Sequence, residues 1–584
     1  MRTNTTSQLF RLLGATIVAC GVTSVAIYAF GETKVSVGSP TVLFAHNKQN
    51  EPALAVDAHA PNILAAGAND EIDSEACQAG DPTTCPFTPG VGTSGIYFSF
   101  DSGATWIQPT YVGYTARDCD GPAACTGHVG PIGTVPGYYE SGLTSDGDPA
   151  LAFGPRRGSD GTFSWANGSR LYYANLASNF AASKRDESFR GVEALAVSRT
   201  DNVIGAANGD NNAWMPPVIV ARQSSTTFSD KEQIWADNAA SSPYFGNVYV
   251  CAAAFRSNSL GLGFPAPLVV ATSTDGGDTW TQKQVSEAIA NVVRPDRSGC
   301  TIRTDSHGVV YVFATQFAYG LPGTGSHIMM KSFNGGQTWT RPTPIFSVVD
   351  SCFVVDPLIG RCVSDGVAGA RNDLASAPSV DIANGAPTGT DATDEIIDTW
   401  VDGRNGLNHE AVMFSYSTNG GGAWSAPQIV SAAGDRGYYA AAAISPDGTD
   451  AYIVYDAFLL PFQNTTAAPR AMQGVVLHAD LGVSGAPSGW TTLLRAAAGD
   501  PRGSSQNDLL GEFLGDYVYA VASRDYGAAV WNDVRDAADC PALDAWRQSL
   551  IDEAPIAAPS PNSDCPLTWG NSDIYGGAFP DPTP

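Results

Sequence analysis

Residues 273–280 read STDGGDTW, and close copies stand at 99–106 (SFDSGATW), 332–339 (SFNGGQTW) and 417–424 (STNGGGAW). The third position is Asp101, Asp275, Asn334 or Asn419. An Asx side chain there accepts hydrogen bonds from the N–H groups of its own turn. Glycine at the fifth position permits positive φ. The closing Trp106, Trp280, Trp339 and Trp424 each offer a large ring to bury against a neighbouring sheet. A catalytic carboxylate would not survive exchange for an amide. The Asp/Asn alternation therefore assigns the octapeptide to the fold and not to the reaction.

Working outward, each copy ends a run of short apolar strands, for example GNVYVCAAAF and PLVVATS before residue 280 and GVVYVFATQF and HIMMKS before 339. An irregular second unit, from Gly147 (GDPALAF), lacks the octapeptide, and two further units, from Tyr438 and from Phe513, keep the opening strands without it. Seven units of antiparallel strands result, with six as the alternative because the second unit is irregular. No stretch beyond the apolar N-terminal run shows a long amphipathic period. Small antiparallel sheets repeated on one long chain predict an all-β, single β-propeller, whose blades protect one another's edges. The strand Lys34–Phe44 is expected to close the ring from the other terminus, with the propeller spanning 32–584.

The octapeptide resembles the Asp-box, or bacterial neuraminidase repeat, of sialidase-like propellers. That resemblance implies an outer-rim position for the motif and a ligand site over the central channel. It also implies a glycan substrate and, in an enzyme, glycosidic-bond hydrolysis needing no cofactor. A non-catalytic propeller that binds glycan or protein is the alternative.

Composition limits the partners. The chain has 584 residues, 62 of them glycine and 38 proline, a formal charge of −27 and six lysines, so a basic stripe for nucleic acid is missing. Leu12–Phe30 is uncharged and follows Arg2 and Arg11, and Ala29-Phe30-Gly31 resembles a cleavage site. Residues 1–31 thus read as a signal peptide. An uncleaved membrane anchor, or a lipoprotein box at Cys20, are the other readings, and only an unremoved segment would bring a membrane partner. The remaining ten cysteines suit an oxidising compartment, secreted or at the cell surface. Sequence proximity suggests Cys77–Cys85, Cys119–Cys125 and Cys352–Cys362, and the simplest pairing of the rest is Cys251–Cys300 with Cys540–Cys565.

Polar residues just before the inner strands are the candidates for chemistry. Asp230 or Glu232 would serve as acid, and Glu512, Asp516 or Tyr517 as base or nucleophile. Sialidases clamp the substrate carboxylate with three arginines, because planar guanidinium matches it bidentately. Arg297, Arg371 and Arg436 are the arginines to test for that role, with Tyr438 beside them. The Arg-Ile-Pro element of sialidases is missing from SPTVLFAHNKQNEPALAVD. Asp146 and Asp148 read as turn formers or as calcium ligands, calcium being the structural metal this chain would suit. Asp402 with Arg404, and Asp533 with Arg535, read as blade-end ion pairs.

Overall fold

The computed structural model describes residues 31–583, apart from 81–84, 86, 182–184, 222–223, 257–264, 289–295, 318–320 and 366–368. The proposed signal segment therefore lies outside the described residues. Among those described, no helix is long and apolar enough to cross a membrane.

Seven antiparallel sheets form seven blades. Their innermost strands are Gln49–Val56, Ala150–Arg157, Thr227–Ala236, Asp296–Thr304, Ser379–Ile382, Arg436–Ile444 and Tyr519–Ala522. Each of these strands packs on the next, and the last packs on the first, so the ring is closed. Blade 1 has three strands, blade 2 five and the others four. Blade 2, the unit whose sequence is irregular, carries an extra strand, Leu143–Ser145. Alternating apolar side chains fill the spaces between blades, with Val250, Val312, Val454 and Trp531 all buried.

Blade 7 is completed from the N-terminus, but by Thr33–Lys34 and not by a strand over Lys34–Phe44. Past Val35 the run V-G-S-P is turn-forming, and the chain leaves the edge there. The short pairing is reinforced by Lys34 Nζ on Asp573 (2.6 Å) and by Glu32 against Arg535. One helix of three turns, Pro541–Ile551, sits in the insertion between the second and third strands of blade 7. Its start was readable in Cys540-Pro541, since proline suits a first helical position. Its burial around Leu543 and Arg547 was not.

The four octapeptides close hairpins between the third strand of a blade and its outer edge. In 273–280, Asp275 Oδ1 accepts from Ser273 Oγ (2.8 Å) and from the Thr279 N–H (2.9 Å), and Thr279 Oγ1 donates to Oδ2 (2.6 Å). Asp101 repeats this network. Asn334 accepts from Ser332 and the Thr338 N–H through Oδ1, and its Nδ2 donates to Thr338 Oγ1 (2.8 Å). Asn419 accepts from Ser417 and the Ala423 N–H. The fifth-position glycines have φ between +79° and +88°. Trp106, Trp280, Trp339 and Trp424 pack on the hydrophobic clusters between blades.

All five disulfides form as expected, three between close neighbours in sequence and two as the simplest pairing of the remaining four cysteines. Cys251–Cys300 joins blade 3 to blade 4 and closes 49 residues of chain. Asp402 holds Arg404 and accepts from Trp400 Nε1 (2.9 Å), and Asp533 holds Arg535 and accepts from Trp531 Nε1 (3.2 Å).

Candidate functional site

The inner strands run in one direction, so their first residues meet at one mouth of the channel and their last at the other. At the first mouth lies a cleft of about 670 Å³. At the other is a smaller cavity of about 220 Å³, walled by apolar inner-strand side chains and the Arg303–Asp381 pair.

The backbone aims side chains into the first mouth. Pairing between first and second strands shifts between Asn50 and Ala53, between Asp230 and Gln233, between Ser298 and Thr301 and between Gly437 and Ala440. Such bulges re-aim a side chain at the expense of regular pairing. Glu51, Asp148 and Lys231 each take up a left-handed backbone, with φ of +55°, +51° and +61°. Non-glycine residues adopt it rarely, and when they do they concentrate at functional sites.

These three residues build one network. Lys231 Nζ contacts Asp516 Oδ2 (2.6 Å), Asp148 Oδ2 (3.3 Å) and Asp230 Oδ1 (3.6 Å). Asp516 Oδ1 accepts from Tyr439 OH (3.1 Å). Glu51 accepts from the Asp516 N–H (2.8 Å) and from Asn69 Nδ2 (2.7 Å), while Asn69 Oδ1 accepts from the Asp148 N–H (2.8 Å). Gly515 has to be glycine: its φ is +85°, and a Cβ there would stand 2.2 Å from Glu51 Cγ and 2.6 Å from its backbone nitrogen. Arg371 lines the cleft, lies over the Phe513 ring at 4.3 Å and is held by Asp373 (2.8 Å).

Burial, with the Glu51 charge alongside, lifts the Asp148 carboxyl to about 8. Burial likewise lifts Asp230 to about 7 against the pull of Lys231. Asp516 goes the other way. Burial opposes its ionisation, but Lys231 and Arg371 outweigh it and hold Asp516 at about 2. The same network therefore holds one carboxylate that stays ionised and two carboxyls that exchange protons near neutrality, the separation that acid–base chemistry requires. The cleft lining carries six carboxyl side chains against three cations, Lys48, Lys231 and Arg371.

The structure brings some expected residues together and disperses others. Asp230 lines the cleft. Asp516 and Tyr517 lie beneath it inside the channel, where they line a smaller void with Lys231 and Tyr439. Tyr517 OH is buried with no hydrogen-bond partner among the described residues, and burial raises its pKa. Glu232 follows Lys231 in the bulge, is 3% exposed, and both its oxygens lack a hydrogen-bond partner among the described residues.

Glu512 is displaced from the site. It is 1% exposed and pairs with Arg547 of the helix Pro541–Ile551 at 2.7 Å, an interaction between parts of the chain that sequence reading could not join. The three arginines do not converge. Arg297 Nη1 donates to the Glu287 carbonyl, and Arg436 is held by Glu410 (3.2 Å) and Asp365 (3.5 Å) beside a separate depression. Arg371 alone of the three lines the cleft. Tyr438 is fully buried and spends its hydroxyl on the Arg371 carbonyl, so it positions the backbone of Arg371.

Asp148, Asp230 and Glu232 bring one oxygen each to within 4.8 Å of one another, and these are the residues here that could hold a cation. Lys231 already supplies positive charge between Asp148 and Asp230, which weakens the case for calcium at this place. Sequence reasoning passed over Asn69, Asp373 and Phe513, and read Lys231 only as a polar residue before an inner strand, in an ion-pair cluster with Asp230 and Glu232. The signal for Lys231 was present, since it is one of only six lysines and sits between two acids at a strand start.

No family model matches the chain, and no curated protein matches it. Solved structures do. A protein of unknown function from Dyadobacter fermentans DSM 18053 aligns at 12% identity, covering 74% of this chain and 93% of that one, with a TM-score of 0.37. The Hadza microbial sialidase Hz136 aligns at 12% over 70% of this chain and 63% of its own, TM-score 0.39. The phage phi92 endosialidase aligns at 9% over 94% and 69%, TM-score 0.39. At these values the likeness says nothing about reaction or substrate. The class the fold defines is the seven-bladed β-propeller.

Proposed function

We propose that this chain is an exported propeller that hydrolyses a glycosidic bond of a neutral glycan in the cleft over its channel. The observation that carries the reading is the carboxyl pair Asp148 and Asp230, oxygens under 4.8 Å apart in the wall of one cleft. Asp148, with the higher pKa, serves as general acid, and Asp230 as nucleophile, with Lys231 positioning both. Oxygens under 4.8 Å apart leave no room for the water that inverting enzymes place between carboxyls about 6.5–9.5 Å apart, so this pair would act with retention. The acidic lining and the lone Arg371 argue against a sialic acid substrate, whose carboxylate would meet repulsion without a clamp. Export is supported by the five disulfides, which persist in oxidising compartments.

A binding propeller is the second reading. It is favoured by the Lys231 contacts, which tie up an oxygen of each carboxyl. A panel of neutral and sialylated glycosides separates the two. Hydrolysis of a neutral member with retained anomeric configuration is expected, reduced about 10²–10⁴-fold in Asp148→Asn and Asp230→Asn while circular dichroism is unchanged. Glycan binding without turnover on any member would replace hydrolysis by the binding reading.

A further inference from the structure

Far from the cleft, at the other end of blade 6, three carboxylates converge on one imidazole. Asp450 opens the second strand of the blade, His478 lies in the third strand and Asp480 ends it. Asp581 arrives from blade 7, one residue past the strand Asp573–Pro580. His478 Nε2 lies 2.9 Å from Asp450 Oδ1, 4.0 Å from Asp480 Oδ1 and 3.9 Å from Asp581 Oδ1. One nitrogen and three carboxylate oxygens stand within 4.8 Å of one another.

We infer that Asp450, His478, Asp480 and Asp581 form a divalent transition-metal site that staples the C-terminal segment to blade 6. Charge is the first reason. A neutral imidazole leaves three negative charges in this corner, and no lysine or arginine among the described residues pairs with any of the three acids. A protonated imidazole would balance only one of them. Geometry is the second. His478 is 2% exposed, its ring packs against Tyr452 at 5.0 Å, and its Nε2 faces only these carboxylates. Two of them stand too far for a hydrogen bond to it, yet at close to the spacing of ligands on one ion. Ligand atoms each about 2.0–2.2 Å from a tetrahedral zinc ion lie roughly 3.4 Å apart, which small side-chain rotations would reach.

The donor set selects the metal. Calcium takes six to eight oxygens, whereas an imidazole with carboxylates suits zinc and its neighbours. The supporting contacts fit a ligand role. Asp450 Oδ2 accepts from Thr449 Oγ1 (2.6 Å), Asp581 Oδ1 accepts from the Thr583 N–H (2.7 Å), and Thr583 Oγ1 donates to Asp480. Outer contacts of this kind orient ligating carboxylates. An ion here would clamp the strand end of blade 7 to blade 6, at a seam that packing and hydrogen bonds such as Thr583 to Asp480 also close.

The test uses the full chain after chelator treatment, titrated with ZnCl₂ by calorimetry and by metal analysis, with melting followed in parallel. One zinc per chain and a raised Tm are expected, with smaller effects from MgCl₂ and CaCl₂. Asp581→Asn, at the chain end, leaves the blades intact and should weaken zinc binding at least tenfold while abolishing the Tm shift. His478→Gln should do the same, and if burial makes it unstable the Asp581 variant decides. The absence of zinc binding, or an affinity and Tm shift unchanged in Asp581→Asn, would overturn the inference. In the latter case the metal sits on surface histidines such as His307 or His409.

Discussion

At the residue scale, two acids of one network are told apart by their neighbours. Asp516 meets Lys231 at 2.6 Å and stays ionised, whereas Asp148 meets Glu51 and Lys231 only at 3.3 Å, and burial decides. This ordering predicts a narrow pH–rate profile for the proposed hydrolase. The nucleophile role needs Asp230 ionised, so kcat/KM should rise as pH passes about 7. The acid role needs Asp148 protonated, so the rate should fall as pH passes about 8. A profile with its maximum near pH 4 would remove these two residues from the roles assigned. Asp230 lies in the first half of the inner strand Thr227–Ala236 and lines the cleft. Glu512 precedes the inner strand Tyr519–Ala522, yet its partner Arg547 lies on a helix 35 residues away. Only the folded chain shows that the pair turns away from the cleft.

At the element scale, the hairpin is the unit that repeats, and its chemistry is local. The residue that binds the turn in 273–280 is Asp275, and in 332–339 and 417–424 an asparagine accepts the same backbone N–H. Asp275→Asn should accordingly change stability by about 0.5 kcal/mol or less, while Asp275→Ala, which leaves turn N–H groups without their acceptor, should cost about 1–2 kcal/mol. Denaturant midpoints of the two variants check this, and equal losses in both would mean that the charge matters and the shared geometry does not. These hairpins were legible because every partner lies within four residues. The closing strand of blade 7 was legible only in part. Its existence follows from a last blade short of one strand, but its length is set by where Val35 to Pro40 turns off the edge, which depends on the surface it meets.

At the scale of the whole molecule, the ring buries an unusual number of carboxyls for a chain this acidic. Asp148 is raised to about 8, Asp230, Asp237 and Glu395 to about 7, and Asp70 to about 6, in each case chiefly by burial. In the unfolded chain such groups lose their protons near pH 4. Between about pH 4 and 8 the folded state therefore holds more protons than the unfolded one, and stability falls as pH rises. Asp516, lowered to about 2, acts in the opposite sense: its contribution is present above about 4 and is lost as pH falls toward 2. Thermal melting should thus show its highest Tm near pH 4–5 and a decline toward pH 8. A Tm that is flat or rising over that interval would contradict the burial-driven shifts. The formal charge of −27 adds to the decline, since self-repulsion grows as carboxyls ionise.

What was readable from the chain alone was everything set by short-range chemistry: the hairpin octapeptides, the strand periodicity, the count of seven blades and the pairing of cysteines close in sequence. What required the tertiary structure was the meeting of residues from different blades. Lys231 with Asp148 and Asp516 spans 83 and 285 positions, and Asp581 with His478 joins the chain's end to an inner blade. Turns and strands follow from the local sequence because their hydrogen bonds close over a few residues. A site on a propeller mouth is assembled by ring closure, and bulges that one residue's φ decides determine which side chains point inward. The repeated STDGGDTW identified the blades, and the bulged strand starts on the opposite side of them hold the candidate chemistry.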